Sequence, residues 1–123
     1  MAKKPCIVVV DDEEETCCLL KDLLSADGYT VVTASDPEEG LQIVTKVKPG
    51  LVLLDLKMPK MDGIEVLRRI KRTDETIPVI IMTGFATIGS ARDAIRLGAL
   101  DYITKPFDFE YIKALVETAS GEM

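Results

Sequence analysis

A chain of 123 residues, 47% of them apolar, has the material for one packed domain and too much hydrophobicity for a disordered segment. A formal net charge of −6, with no basic run beyond Lys3-Lys4, argues against direct nucleic-acid binding and against adsorption to a membrane surface. Histidine is absent, which removes imidazole zinc sites and every Ser-His or Cys-His mechanism, and three cysteines without C-x-x-C spacing fit free thiols in a reducing cytoplasm.

Taken in chain order, Met1 to Pro5 is followed by only five apolar residues, Cys6 to Val10, and then by acids. That run is too short for a secretory signal or a membrane span, so the cytoplasm is the expected compartment. The five residues predict a first strand. Asp11 and Asp12 follow it, and Glu13 to Glu15 suit the first turn of a helix, near the positive end of its dipole. Leu19, Leu20, Leu23 and Leu24 supply the apolar stripe of that helix, Cys17-Cys18 lie on it, and Gly28 is placed to stop it. A second strand is predicted over 30–34. Asp36-Pro37-Glu38-Glu39 then provides an N-cap, an N1 proline and a capping-box acid for a helix with Leu41, Val44 and Val47 inward. A third strand over 51–54 runs into Asp55, the chain turns through Pro59 and Gly63, and Ile64, Leu67 and Ile70 mark the third helix. A fourth strand over 78–82 leads into Thr83 and Gly84, and a helix carrying Ala91, Ala94 and Ile95 ends at Gly98. A fifth strand over 100–103 precedes Lys105 and Pro106. Asp108 is placed to cap a last helix with Ile112, Leu115 and Val116 inward. Met58, Met61, Phe107, Phe109 and Tyr111 are expected to pack against loops and the last helix.

Strand and helix thus alternate five times, and the first, third and fourth strands lack polar alternation, as strands covered on both faces do. The expected class is α/β, a flavodoxin-like (βα)5 doubly wound sandwich with a five-stranded parallel sheet in the order 2-1-3-4-5. One domain is expected over residues 1–123, with a core at about 5–119 and Ser120 to Met123 as a frayed end or the start of a linker. The sequence fits both a stand-alone protein and a domain of a longer chain.

Ligands of open α/β sheets bind outside the carboxyl ends of the strands, where the strand order reverses. Asp11 and Asp12 follow the first strand, Asp55 the third, Thr83 the fourth and Lys105 the fifth, so these five residues converge. Three carboxylates without a partner repel one another, and a hard divalent cation resolves the repulsion. Oxygen-only ligands with room for water suit magnesium, which typically uses one or two carboxylates together with phosphate oxygens. An ammonium and a hydroxyl beside that ion fit an incoming phosphoryl group. Aspartate can accept such a group covalently. Asp55, single and at the exit of a buried central strand, is the candidate acceptor, while the Asp11-Asp12 pair suits metal.

The motifs V-D-D-E at 10–13, L-D-L-x-M-P-x-M-D-G at 54–63, M-T-G at 82–84 and D-Y-I-T-K-P-F at 101–107 together resemble the receiver domain of bacterial response regulators. The resemblance covers 5 to about 119, and G-A-L-D-Y-I-T-K-P-F-D is similar to receivers attached to enhancer-binding transcription activators with an ATPase domain. It implies Asp55 as the phosphorylated residue, Asp12 as a direct Mg2+ ligand, Asp11 as its acidic neighbour, and the backbone carbonyl of Lys57 as a further ligand. It implies Thr83 as a switch hydroxyl, Lys105 as the partner of the phosphate, Pro106 after a cis bond, and Tyr102 as an aromatic that moves with the switch. The implied partners are a sensor histidine kinase and a downstream effector domain or protein. A homodimer through the face from the fourth to the fifth helix is implied for the subgroup. The side chains of Lys57 and Phe85 lie where the family varies, which leaves the phosphoryl lifetime open. The alternative reading is a Mg2+-dependent small-molecule phosphohydrolase, but its haloacid-dehalogenase form needs D-x-D where this chain has Glu13 at the third position. A flavin-binding module is disfavoured, because Asp-Asp-Glu would repel the flavin phosphate.

Overall fold

The computed structural model describes residues 4–119, so the expectation for Ser120 to Met123 lies outside the described residues. Five strands alternate with five helices. They are β1 (Cys6–Val10), α1 (Glu14–Ala26), β2 (Thr30–Ala34), α2 (Pro37–Val47), β3 (Leu51–Asp55), α3 (Gly63–Thr73), β4 (Val79–Thr83), α4 (Ile88–Arg96), β5 (Asp101–Thr104) and α5 (Phe109–Ala119). The strands form one sheet in the order β2-β1-β3-β4-β5, and every pairing is parallel. The predicted class and strand order therefore hold.

The sheet separates two apolar layers. Val8, Val10, Val52, Leu54 and Ile81 point to the side covered by α2, α3 and α4, and Ile7, Val9, Leu51, Leu53 and Ile80 point to the side covered by α1 and α5. β1, β3 and β4 are flanked by strands and covered on both faces, which is why their sequences are continuously apolar. Fully burying each such side chain contributes about 1.5–3 kcal/mol.

Three predicted strands move by one residue. β3 and β4 extend to include Asp55 and Thr83, because Asp55 still pairs with Met82 and Thr83 with Thr104. The last residue of each strand is thus a site residue held by the sheet, where the sequence placed it in a loop. β4 starts at Val79 because Pro78 has no N–H to donate, and β5 starts at Asp101.

The helix signals hold in part. Gly28 and Gly98 end helices at φ +96° and +100°, a region open to glycine at no steric cost. The Asp36 carboxylate accepts from the Glu39 N–H, and Asp108 Oδ1 accepts from Glu110 N–H at the start of α5. A full capping box forms at α4, where Thr87 and Ser90 bond each other's backbone reciprocally. Leu19 and Ile95, expected in apolar stripes, are 47% and 53% exposed. The faces of α1 and α4 that meet the sheet are narrower than the sequence pattern.

Candidate functional site

Parallel register sets the site. Val10 pairs with Leu54, so the next residues, Asp11 and Asp55, emerge side by side at the carboxyl end of the sheet. Asp11 is fully buried and its N–H donates to Ala34 O at 3.0 Å, continuing the β1–β2 ladder. Its Oδ1 accepts from the Glu13 N–H at 2.9 Å and its Oδ2 from Lys105 Nζ at 2.7 Å. Asp55 is also buried. Its Oδ1 accepts from the Lys57 N–H at 3.2 Å, and its Oδ2 lies 3.5 Å from Lys105 Nζ. Gly63 enables this arrangement. Its N–H bonds Leu56 O at 2.9 Å, and a Cβ there would lie 2.3 Å from Leu56 Cα and 2.6 Å from Asp55 O, so only glycine lets α3 start against the end of β3.

Lys105 follows β5 through Lys105 N–H to Thr83 O at 2.8 Å, just before a cis peptide bond to Pro106. Its ammonium bridges three carboxylates: Asp11, Asp55 and, at 2.6 Å, Glu13. Glu13 was expected in the first turn of α1 alone. It stands at the N-cap position without capping by its side chain, which reaches across to Lys105 instead. The sequence sets it apart from Glu14 and Glu15 only as the last residue of V-D-D-E, which assigns it no partner.

Electrostatics follow burial. Desolvation raises the Asp11 pKa to about 6, against the lowering effect of Lys105 and the Glu13 N–H, and Asp55 adds repulsion. Burial also works against the charge of Lys105, but its bonds to Asp11 and Glu13 prevail and raise its pKa. Burial likewise raises the Cys17 thiol to about 11. That thiol donates to Asp11 O at 3.3 Å, so Cys17 packs under the site while Cys18 faces outward.

Asp12 is exposed at the rim, yet oxygens of Asp11, Asp12 and Asp55 lie within 4.8 Å of one another. A cleft of about 630 Å³ opens over the cluster, with Asp12, Asp55, Lys57 and Lys105 on one part of its wall and Leu19 and Phe107 on another. The Lys57 ammonium stands 5.1 Å from the Phe85 ring centroid at its edge. Thr83 is fully buried at the same end of the sheet, and its Oγ1 accepts from the Phe85 N–H at 3.1 Å. The fold thus gathers Asp11, Asp12, Asp55, Lys57, Thr83 and Lys105. Tyr102 lies apart from the acids: its hydroxyl meets Ser90 Oγ on α4 at 2.6 Å, a partner the sequence did not indicate.

The response regulator receiver domain family matches residues 7–117. The chain is 44% identical over 99 residues to sporulation initiation phosphotransferase F of Bacillus subtilis, covering 80% of each chain. It is 42% identical over 101 residues to the transcriptional regulatory protein ZraR of Escherichia coli, covering 82% of this chain and 23% of that one. It therefore spans about a quarter of that relative's length. Among solved structures it is similar to the signal receiver domain of a putative Luxo repressor protein from Vibrio parahaemolyticus. The TM-score is 0.90 at 29% identity, over 96% of this chain and 91% of that one. It is also similar to NtrX from Brucella abortus, with a TM-score of 0.89 at 34% identity, over 96% of this chain and 27% of that one. These matches leave the small-molecule phosphohydrolase without support. No helix among the described residues is long and apolar enough to cross a membrane. With the family model matched over nearly the whole described chain, the chain belongs to the response regulator receiver domain family of two-component signalling.

Proposed function

We propose that this chain is a phosphoryl-accepting switch that catalyses only its own phosphorylation and dephosphorylation, with Asp55 as the acceptor. The observation that carries the reading is the half-buried ammonium of Lys105 joining Asp55 to a second buried carboxylate, Asp11, at the mouth of an open cleft. The cluster faces a volume that a phosphoryl donor can enter.

The donor set fits Mg2+: hard oxygens from Asp11, Asp12 and Asp55, with the backbone carbonyl of Lys57 next to Asp55 as a further ligand. Bound there, the ion supplies positive charge against the charge that develops in phosphoryl transfer. The remaining work belongs to the chain. An Asp55 carboxylate oxygen attacks the phosphorus of a phosphohistidine on a sensor kinase. A P–O bond forms, the P–N bond breaks, and the imidazole leaves. Lys105, already within 3.5 Å of Asp55, pairs with the phosphoryl oxygens. The Thr83 hydroxyl accepts from Phe85 and keeps its hydrogen to donate to one of those oxygens.

The phosphorylated state then alters α4, β5 and α5 through Thr83 and Tyr102, and this surface controls an effector domain or partner protein. Ile95 on α4, Leu100 before β5 and Tyr111 on α5 are exposed apolar residues that support homodimerisation there. In this reading residues 1–123 form one receiver domain that works in the cytoplasm and binds neither nucleic acid nor membrane.

Intact mass after incubation with acetyl phosphate and Mg2+ tests the proposal. One phosphoryl increment is expected, absent with chelator and absent in Asp55→Asn. Labelling that persists in Asp55→Asn removes Asp55 from its role.

A further inference from the structure

Ser90 is in the first turn of α4, in a cleft it shares with Leu56, Lys57 and Thr83, and its hydroxyl is crowded. It lies 3.2 Å from Thr87 N, 3.1 Å from Thr87 O, 3.0 Å from Thr87 Oγ1 and 2.6 Å from the Tyr102 hydroxyl. A serine hydroxyl has one hydrogen and two acceptor sites. Thr87 N–H can only donate and takes one acceptor site. Thr87 O can only accept, and it also receives the Ala91 N–H at 3.0 Å. The shortest of these contacts is the one to Tyr102, in which either hydroxyl can donate.

This bond ends a continuous series. Thr83 Oγ1 holds Phe85 N–H, the backbone runs through Ala86 to Thr87, Thr87 and Ser90 hold each other, and Ser90 holds Tyr102. If Thr83 moves toward a new anion at Asp55, the Phe85 N–H bonded to its hydroxyl draws the 84–87 segment along. The far end of that segment is tied through Ser90 to β5. The shift therefore drags Tyr102 or breaks its bond.

We propose that Ser90 is a positioning residue of the switch: by its hydroxyl bond to Tyr102 it holds α4 and the 84–87 segment in the anion-free arrangement and opposes binding of a phosphoryl group at Asp55. The proposal rests on the functional reading above. It needs a hydroxyl at both 90 and 102.

Affinity for beryllofluoride with Mg2+, a mimic of the phosphoryl group, tests it by calorimetric titration. Tyr102→Phe leaves the capping box intact and removes only the bond. Ser90→Ala removes the partner hydroxyl. Each variant is expected to bind about 2- to 10-fold more tightly than the native chain, the worth of one hydrogen bond. The double variant is expected to bind no tighter than Ser90→Ala, which already deletes the shared contact along with the serine's bonds to Thr87. Ser90→Thr, which keeps the hydroxyl, is expected to bind like the native chain. Unchanged or weaker binding by Tyr102→Phe, or additive gains in the double variant, overturns the role of Ser90 while leaving the receiver reading in place. Failure of the native chain itself to bind the probe overturns both.

Discussion

α3 and α4 cover the same side of the sheet, but they are held by different means. α3 buries Gly63, Val66, Leu67 and Ile70 and is pinned at its start by the Asp62 carboxylate, which accepts from the Ile64 N–H at 2.9 Å. α4 buries Ala94 alone, while Ile88 and Ile95 are 80% and 53% exposed. What fixes α4 is polar: the Thr87–Ser90 capping box and the Ser90–Tyr102 bond. Apolar burial is additive and insensitive to small displacements, whereas a hydrogen bond weakens steeply with misalignment. The helix that follows the candidate acceptor is thus part of the scaffold. The helix that follows Thr83 has few buried apolar contacts, the condition that favours low local stability.

Three substitutions would break or sharpen this contrast. Leu67→Ala, which empties a fully buried position on α3, should cost about 2–5 kcal/mol in urea unfolding. Thr87→Ala, which removes the cap of α4, should cost about 0.5–2 kcal/mol. It should also speed amide hydrogen exchange in 88–96 while leaving 63–73 unchanged. Equal acceleration in both helices would show that α3 and α4 open as one unit and erase the distinction. Ile95→Ser, on the outer face of α4, should stay within about 0.5 kcal/mol of the native chain, and a larger loss would mean that this side chain is covered in solution.

The sequence disclosed the strands because β1, β3 and β4 lie between neighbours and must be apolar on both faces. It disclosed the candidate site because strand exits of a parallel sheet gather at one end. It could not say that Asp55 and Thr83 are the last rungs of their strands, since a polar residue ends an apolar run whether or not its backbone still pairs. It hid Glu13, because the acid run 13–15 serves a helix start equally well at each position and only the fold shows which one meets Lys105. Leu19 was misjudged for a related reason. Leu19, Leu20, Leu23 and Leu24 cover more of the circumference of α1 than the sheet can, and periodicity alone does not say which edge stays outside. Ser90 was invisible because a capping serine and a tyrosine twelve residues later carry no pattern that joins them.

The ladder that brings Val10 level with Leu54, and Thr83 level with Thr104, has a consequence for how this protein tolerates change in length. One residue inserted within a strand rotates every following side chain to the opposite face and moves it by ~3.3 Å. Applied to 51–54, that would carry the Asp55 carboxylate away from Lys105 while leaving composition and hydropathy almost untouched. The same insertion in the turn at 74–78, at the far end of the sheet, lengthens a loop and leaves the rungs aligned. The chain is therefore length-tolerant at the amino ends of its strands and length-intolerant along them, and its chemistry is written in the count of residues as much as in their identity.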